Sequence, residues 1–182
     1  QGILDKIIPG HQGIAQLEKF AALEKSLGRG DKLSRLSCLM PSDKESISHL
    51  GRYLKLSNDV QATLGDYAFI DFQIPSTIPR DQLRRLIYTK SRRQVVFALL
   101  SQWSREGREE LDKTYESLLT YAENWPLPDF PLLGRDLMRA GMKSGPKIGA
   151  ILNKMEVAWI DSDFTLDKQL LLSQALSKTS VK

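Results

Sequence analysis

Apolar residues recur along this chain at three- and four-residue spacing and almost nowhere in alternation. In IAQLEKFAALEKSL, Ile14, Leu17, Phe20, Ala21, Leu23 and Leu27 fall close to one face of a helix that Gly28 stops. DKLSRLSCLM reads as helix ending at Pro41, and SDKESISHLGRYLKL then opens with Ser42 and Glu45 at capping-box spacing. Ser57 is placed to cap a further helix running to about Ile70. Two proline-rich breaks follow, QIPSTIP at 73–79 and WPLPDFP at 125–131. Proline lacks an amide donor and pushes its predecessor out of the α conformation, so both breaks read as boundaries. Between them PRDQLRRLIYTK, SRRQVVFALLSQWS and REELDKTYESLLTYAENW form three helices joined by short turns. There is no alternating pattern of useful length, no low-complexity segment and no fixed-period repeat. The expected class is all-α, a multi-helical array of short helices with a C-terminal helical tail subdomain. The expected divisions are 1–72, 73–128 and 129–182.

Composition adds little to that picture, whereas the placement of charge adds a good deal. With 182 residues, 41% of them hydrophobic and 26% charged, the chain has the make-up of a globular protein with one sizeable core or two small ones. A net charge of +4 leans towards an acidic partner without demanding one. Residues 80–93 carry six positive charges and one negative, and 135–154 carry five and one. The stretches 59–79 and 114–134 each have three acids and no base. Two basic zones in an otherwise balanced or acidic chain are the pattern of a surface that meets polyanions.

Other chemistry is excluded on simple grounds. The single cysteine, Cys38, can form no disulfide within the chain, which points to a reducing, cytoplasmic compartment, and it reads as a small core residue. His11 and His49 stand apart from each other and from Cys38 at anything like ligand spacing, so no metal site is expected on them. No apolar run approaches the ~18 residues of a membrane span. The chain begins with Gln1 rather than Met and reads as a piece of a longer one.

The richest stretch is PLLGRDLMRAGMKSGPKIGAILNKM, residues 131–155. Arg135 and Arg139 are neighbours on one face of a short helix that Gly141 can end in a left-handed conformation. Ser144-Gly145-Pro146 then starts another helix, with glycine at the cap and proline at the first helical position. Ile148, Ile151, Leu152, Met155, Ala158 and Trp159 form its apolar stripe, and Lys147 and Lys154 line the edge. The amides of Lys147, Ile148 and Gly149 should lack helical partners, at the end where the helix dipole favours negative charge. Gly149 has no side chain to block an approaching phosphate. The corner therefore reads as an anion seat ringed by Arg135, Arg139, Lys143 and Lys147, or else as a helical hairpin whose glycines serve close packing. In the other basic zone, Arg92 and Arg93 open a helix, where cations oppose the dipole by roughly 0.3–1 kcal/mol each. A docked phosphate would reverse that cost. Tyr88 and Trp103 have the shape to stack on bases, but their helical spacing assigns them to the core.

The run from Pro131 to Phe164 resembles the C-terminal tail segment of bacterial CCA-adding tRNA nucleotidyltransferases of the poly(A) polymerase type. That segment reads roughly P-L-x-G-x-D-L, then G-x-x-x-G-P-x-x-G-x-x-L, then a tryptophan near an acidic turn. Gly134, Asp136, Leu137, Gly141, Gly145, Pro146, Gly149, Leu152 and Trp159 fall on those places. Upstream, GILDKIIP at 2–9 resembles the helix end after the family's nucleotide-reading neck. LRRLIY at 83–88 resembles its paired body helices, with Lys90 and Ser91 where a glycine is usual. The resemblance implies an RNA-binding body and tail that hold the acceptor arm and elbow of tRNA. It also implies a catalytic head and neck on the same polypeptide, which would supply Mg²⁺ binding and the CTP and ATP sites.

Two motifs imitate that missing chemistry. Asp161-Ser162-Asp163 has Asp-x-Asp spacing but lies in a turn after a helix, with no strand to support two-metal catalysis, and Asp163 or Thr165 reads better as a cap for LDKQLLLSQAL. Asp81-Gln82-Leu83-Arg84 has the spacing of a nucleotide-reading Asp-x-x-Arg but comes after the segment the neck should precede, so it reads as an i, i+3 ion pair. No catalytic residue, cofactor or metal ligand is therefore assigned to this chain. The alternatives are the RNA-binding part of a poly(A) polymerase, a helix-hairpin-helix module on DNA, and a helical scaffold for protein partners.

Overall fold

The computed structural model describes residues 6–8, 10, 13–41, 43–108 and 112–177. Among these, ten helices and no strand are found, an all-α multi-helical array. The chain divides into two compact units, Gln1–Trp125 and Pro126–Lys182.

In the first unit, helix α1 (Ile14–Ser26) ends as the sequence predicts. Gly28 takes φ +66°, its amide donates to the Lys25 carbonyl, and the Arg29 amide reaches back to Glu24 O. That pair of bonds is a Schellman close, which satisfies two carbonyls at the helix end. The buried face differs from the expected one. Ile14 is 49% exposed, whereas Phe20 and Glu24, one turn apart, are both buried. The Glu24 carboxylate is tolerated there because it accepts from the Asp31 amide (3.1 Å) and Ser34 Oγ (3.2 Å) and pairs with Arg35. A buried charge needs that degree of satisfaction.

Helix α2 (Lys32–Ser37) is shorter than predicted and is capped by Asp31. Helix α3 (Lys44–Tyr53) is capped by Asp43, whose Oδ1 accepts from the Ser46 amide at 2.7 Å. Ser42, expected in that role, lies outside the described residues. Ser57 caps α4 (Asn58–Ala68) as predicted, accepting from the Val60 amide. The three body helices follow as α5 (Arg80–Thr89), α6 (Arg92–Glu106) and α7 (Asp112–Asn124).

Helix α6 runs through the larger of two apolar clusters, burying Val95, Phe97, Ala98, Leu99, Leu100 and Trp103. Trp103 lies parallel to the Tyr115 ring at 5.6 Å and donates from Nε1 to Asp112, so it is core, not a stacking platform. A second cluster forms around Leu39, Met40, Ile47, Leu50 and Leu64. Cys38 is half-buried, and burial pushes its thiol up to about 12, which leaves it protonated and unreactive at neutral pH.

The second unit contains α8 (Gly134–Arg139), α9 (Pro146–Asp161) and α10 (Lys168–Ser177), packed around Leu132, Leu137, Met155, Trp159, Leu171 and Ala175. Trp159 is flanked by Phe130 at 5.5 Å and, edge-on, by Phe164 at 4.9 Å. Asp163 and Phe164 both take positive φ at the end of α9, where their amides reach back to Ile160 O and Trp159 O. The α10 cap is Asp167, whose Oδ1 accepts from the Leu170 amide at 2.8 Å, rather than Asp163 or Thr165. The chain stays in a turn until 167, with Thr165 bonded instead to the Ser162 carbonyl.

Candidate nucleic-acid interface

A six-residue helix is far too short to hold itself together, so the direction in which α8 points its arginines must be fixed from outside. Three anchors do this. Leu137, fully buried, plugs the unit's core. At the C-terminus, Gly141 at φ +95° donates to Met138 O and the Met142 amide to Leu137 O, the left-handed close the sequence predicts. At the N-terminus, Asp136 Oδ2 accepts from the Leu133 amide at 2.9 Å, while Asp136 Oδ1 takes Lys168 Nζ of α10 at 2.7 Å. The hydrogen bond from the Lys168 ammonium, with the Leu133 amide behind it, holds this buried carboxyl below the usual range. With Asp136 and Leu137 turned inward, Arg135 and Arg139 are turned out to solvent.

Beyond the corner, Gly145 caps α9 at φ +154°, ψ −179°, a region essentially reserved for glycine, and Pro146 takes the first helical position. One expectation needs correcting. The Ile148 amide is not without a partner, because it folds back onto Gly145 O at 3.0 Å in a tight first turn. A side chain at Gly145 or at Gly149 would meet nothing within 4 Å, so neither glycine serves close packing. Gly134 does, since an added Cβ would stand 3.3 Å from Ile148 Cγ2.

Lys143, Lys147 and Lys154 are exposed like the two arginines, and so are Gly145 and Gly149. Among the described residues, the charged ends of Arg135, Arg139, Lys143, Lys147 and Lys154 enter no hydrogen bond or ion pair. Five exposed cations without a bonded partner thus fall between residues 135 and 154, a stretch that also exposes the backbone of Gly145 and Gly149.

The structure treats Arg92 and Arg93 differently. Arg92 donates from Nη2 to the Trp125 carbonyl at the end of α7, and Arg93 donates to Thr63 Oγ1 of α4 at 2.9 Å. Three more cations of that zone are also bonded within the unit. Arg80 lies 4.5 Å over the Tyr121 ring and donates to Ser117 Oγ at 2.7 Å. Arg84 donates to the Tyr121 hydroxyl at 2.9 Å, and Lys90 pairs with Asp71 at 3.0 Å. Sequence reasoning missed Lys168. It lies in a later helix, and no local spacing links it to Asp136. Among the described residues no group of three or more His, Cys, Asp and Glu side chains is placed to hold a metal ion, and no helix is long and apolar enough to cross a membrane.

No family model matches this chain. Over 56 residues it is 38% identical to CCA tRNA nucleotidyltransferase 1, mitochondrial, of Homo sapiens and of Mus musculus, and 39% identical to the protein of that name from Danio rerio. The matched stretch is 31% of this chain and 13% of each relative, so the chain aligns with a small part of those proteins. Over that stretch it is related to CCA-adding tRNA nucleotidyltransferases.

Proposed function

We propose that this chain is an RNA-gripping part of a tRNA nucleotidyltransferase that adds CCA to tRNA 3′ ends, and that the corner between α8 and α9 holds the acceptor arm and elbow of tRNA by its phosphates. The observation that carries this reading is the set of five exposed cations without a bonded partner, Arg135, Arg139, Lys143, Lys147 and Lys154, in a stretch that also exposes the backbone of Gly145 and Gly149. Unpaired cations favour a polyanion because each phosphate they neutralise releases condensed counterions, and no internal partner has to be given up first. Similarity to the CCA-adding enzymes supplies the kind of RNA. Arg92 and Arg93 keep donors beyond their internal bonds, and a secondary part in the contact is assigned to them.

On this reading the chain positions RNA and makes no bond itself. Nucleotidyl transfer needs converging carboxylates that hold two metal ions, and Asp161 and Asp163 flank a turn whose polar atoms bind neighbouring backbone. Mg²⁺, CTP and ATP would belong to a catalytic head and neck on the same polypeptide. The lone Cys38 thiol suits a reducing compartment, and the cytoplasm is the setting we assign.

Titration of tRNA binding against salt tests the reading. With four to six phosphates neutralised, log K should fall with log salt by about 0.7–0.9 per contact. Lys147→Glu should weaken binding and flatten that slope by about one contact, while Lys19→Glu on the exposed face of α1 should change neither. Binding that ignores salt would defeat the reading, and so would binding that prefers duplex DNA in competition.

A further inference from the structure

An acid in the middle of a phosphate seat calls for an explanation. Asp136 lies between Arg135 and Arg139 in sequence, and simple charge counting says that it weakens any grip on RNA. We infer that Asp136, through its ion pair with Lys168, is a positioning residue that fixes the rotation of α8, so that Arg135 and Arg139 are presented to the RNA backbone. The inference rests on the phosphate reading of the corner and adds to it a second layer, in which α10 takes part without touching RNA.

The geometry makes the case. A single carboxylate joins three pieces of backbone: Oδ2 takes the Leu133 amide just ahead of α8, Oδ1 takes Lys168 Nζ from the first turn of α10, and the residue itself sits in the first turn of α8. Both oxygens are used and the residue is 7% exposed, so the carboxylate is out of direct reach of a phosphate. Leu137 and the close at Gly141 both hold the C-terminal half of this six-residue helix. The anchor at Asp136, in its first turn, is what defines an angle. In α-helical geometry each residue turns the helix by about 100°, so a modest rocking carries the two guanidinium groups off a pair of phosphates. The same ion pair withdraws Lys168 from the set of cations open to RNA.

The pure-charge account and the positioning account therefore predict opposite signs. Asp136→Asn removes a negative charge, releases Lys168, and keeps an acceptor for the Leu133 amide. If the acid is only a counter-charge, tRNA binding by the 182-residue chain tightens and its salt slope steepens. If it positions α8, binding weakens, on the order of three- to tenfold, the size expected when a residue off the ligand couples to a site. The double variant Asp136→Asn with Lys168→Met has the net charge of the parent, and the half-exposed Lys168 side chain becomes an uncharged one of similar length. Positioning requires the same loss in this variant, whereas charge alone predicts none. Lys168→Arg keeps the pair and should retain most of the affinity. Melting curves on each variant separate weakened binding from unfolding of the unit, and the double variant serves if Asp136→Asn does not fold. Tighter or unchanged binding by a folded Asp136→Asn or double variant overturns the inference while the phosphate reading stands. Salt-independent binding by the parent chain defeats the phosphate reading, and the positioning role goes with it.

Discussion

The two basic zones look alike in sequence and differ in how their cations are bonded within the fold. In 80–93 five of the six cations are bonded to other parts of their unit: Arg80 to Tyr121 and Ser117, Arg84 to the Tyr121 hydroxyl, Lys90 to Asp71, Arg92 to the Trp125 carbonyl and Arg93 to Thr63. In 135–154 the single acid is claimed by Lys168, and among the described residues the five cations have no hydrogen-bond or ion-pair partner. By charge alone the first zone is the denser, with six cations and one acid in a shorter stretch than the five and one of the second. What differs is whether acceptors on other helices lie within reach, because a guanidinium bonded to a carbonyl or phenol has already lost part of what it could offer a phosphate. A cluster of positive charge therefore marks an RNA surface only after its internal partners have been counted.

The largest effect that would test this contrast is reversal of charge at the corner. Arg135→Glu with Arg139→Glu should reduce tRNA affinity by at least tenfold and flatten the salt slope by about two contacts, with little change in melting temperature, since both side chains are exposed and unpaired. Next in size is the converse experiment. Arg92→Ala removes the bond to Trp125 O and should lower the melting temperature by about 2–4 °C while changing tRNA affinity less than threefold. If Arg92→Ala instead costs affinity without costing stability, the two zones are equivalent and the contrast fails.

A smaller, stabilising effect is expected at the joint between α5 and α6. Ser91 sits at φ +150°, ψ +154°, a conformation suited to glycine, and caps α6 by accepting from the Gln94 amide at 3.2 Å. Ser91→Gly should relieve backbone strain of about 1–3 kcal/mol and lose only a few tenths from the cap. Calorimetry should show the melting temperature rising by about 3 °C. Acid should bring out the smallest difference. Hydrogen bonding to Lys lowers the folded-state pKa of both Asp71 and Asp136. Each pair then stabilises the fold above the unfolded aspartate value of about 3.9, and that contribution disappears as the pH falls through the depressed folded value. Asp71 is largely exposed and Asp136 is buried, so Asp136→Asn should remove more of the stability slope below pH 4 than Asp71→Asn does.

Much of the fold was legible because it is local. Gly28 and Gly141 close their helices, Ser57 caps α4, and Gly145-Pro146 opens α9, all of them features decided within a few residues. What failed was decided at a distance or between near-equivalents. Ile14 and Glu24 exchange the expected burial because Asp31, Ser34 and Arg35 on α2 can satisfy a carboxylate. Asp167 takes the cap expected of Asp163 or Thr165 because the chain needs a wider turn around Phe164 before α10 can start. At the site, the exposure of the five corner cations agrees with their charged character. The inward ties of Arg92 and Arg93 and the role of Lys168 depend on helices far away in sequence, which no spacing rule reaches.

Gly134 carries a consequence of a different kind. A methyl group there would press on Ile148 Cγ2 at 3.3 Å, with Leu152 Cδ1 just beyond at 3.8 Å. The missing methyl acts as a gauge. It sets the separation between the helix that bears Arg135 and Arg139 and the helix that bears Lys147 and Lys154, so the distance between the two rows of charge is written into one hydrogen atom. Widening that length by a few tenths of an ångström would leave every charge in place and, on the phosphate reading proposed above, still alter which spacing of phosphates the corner fits.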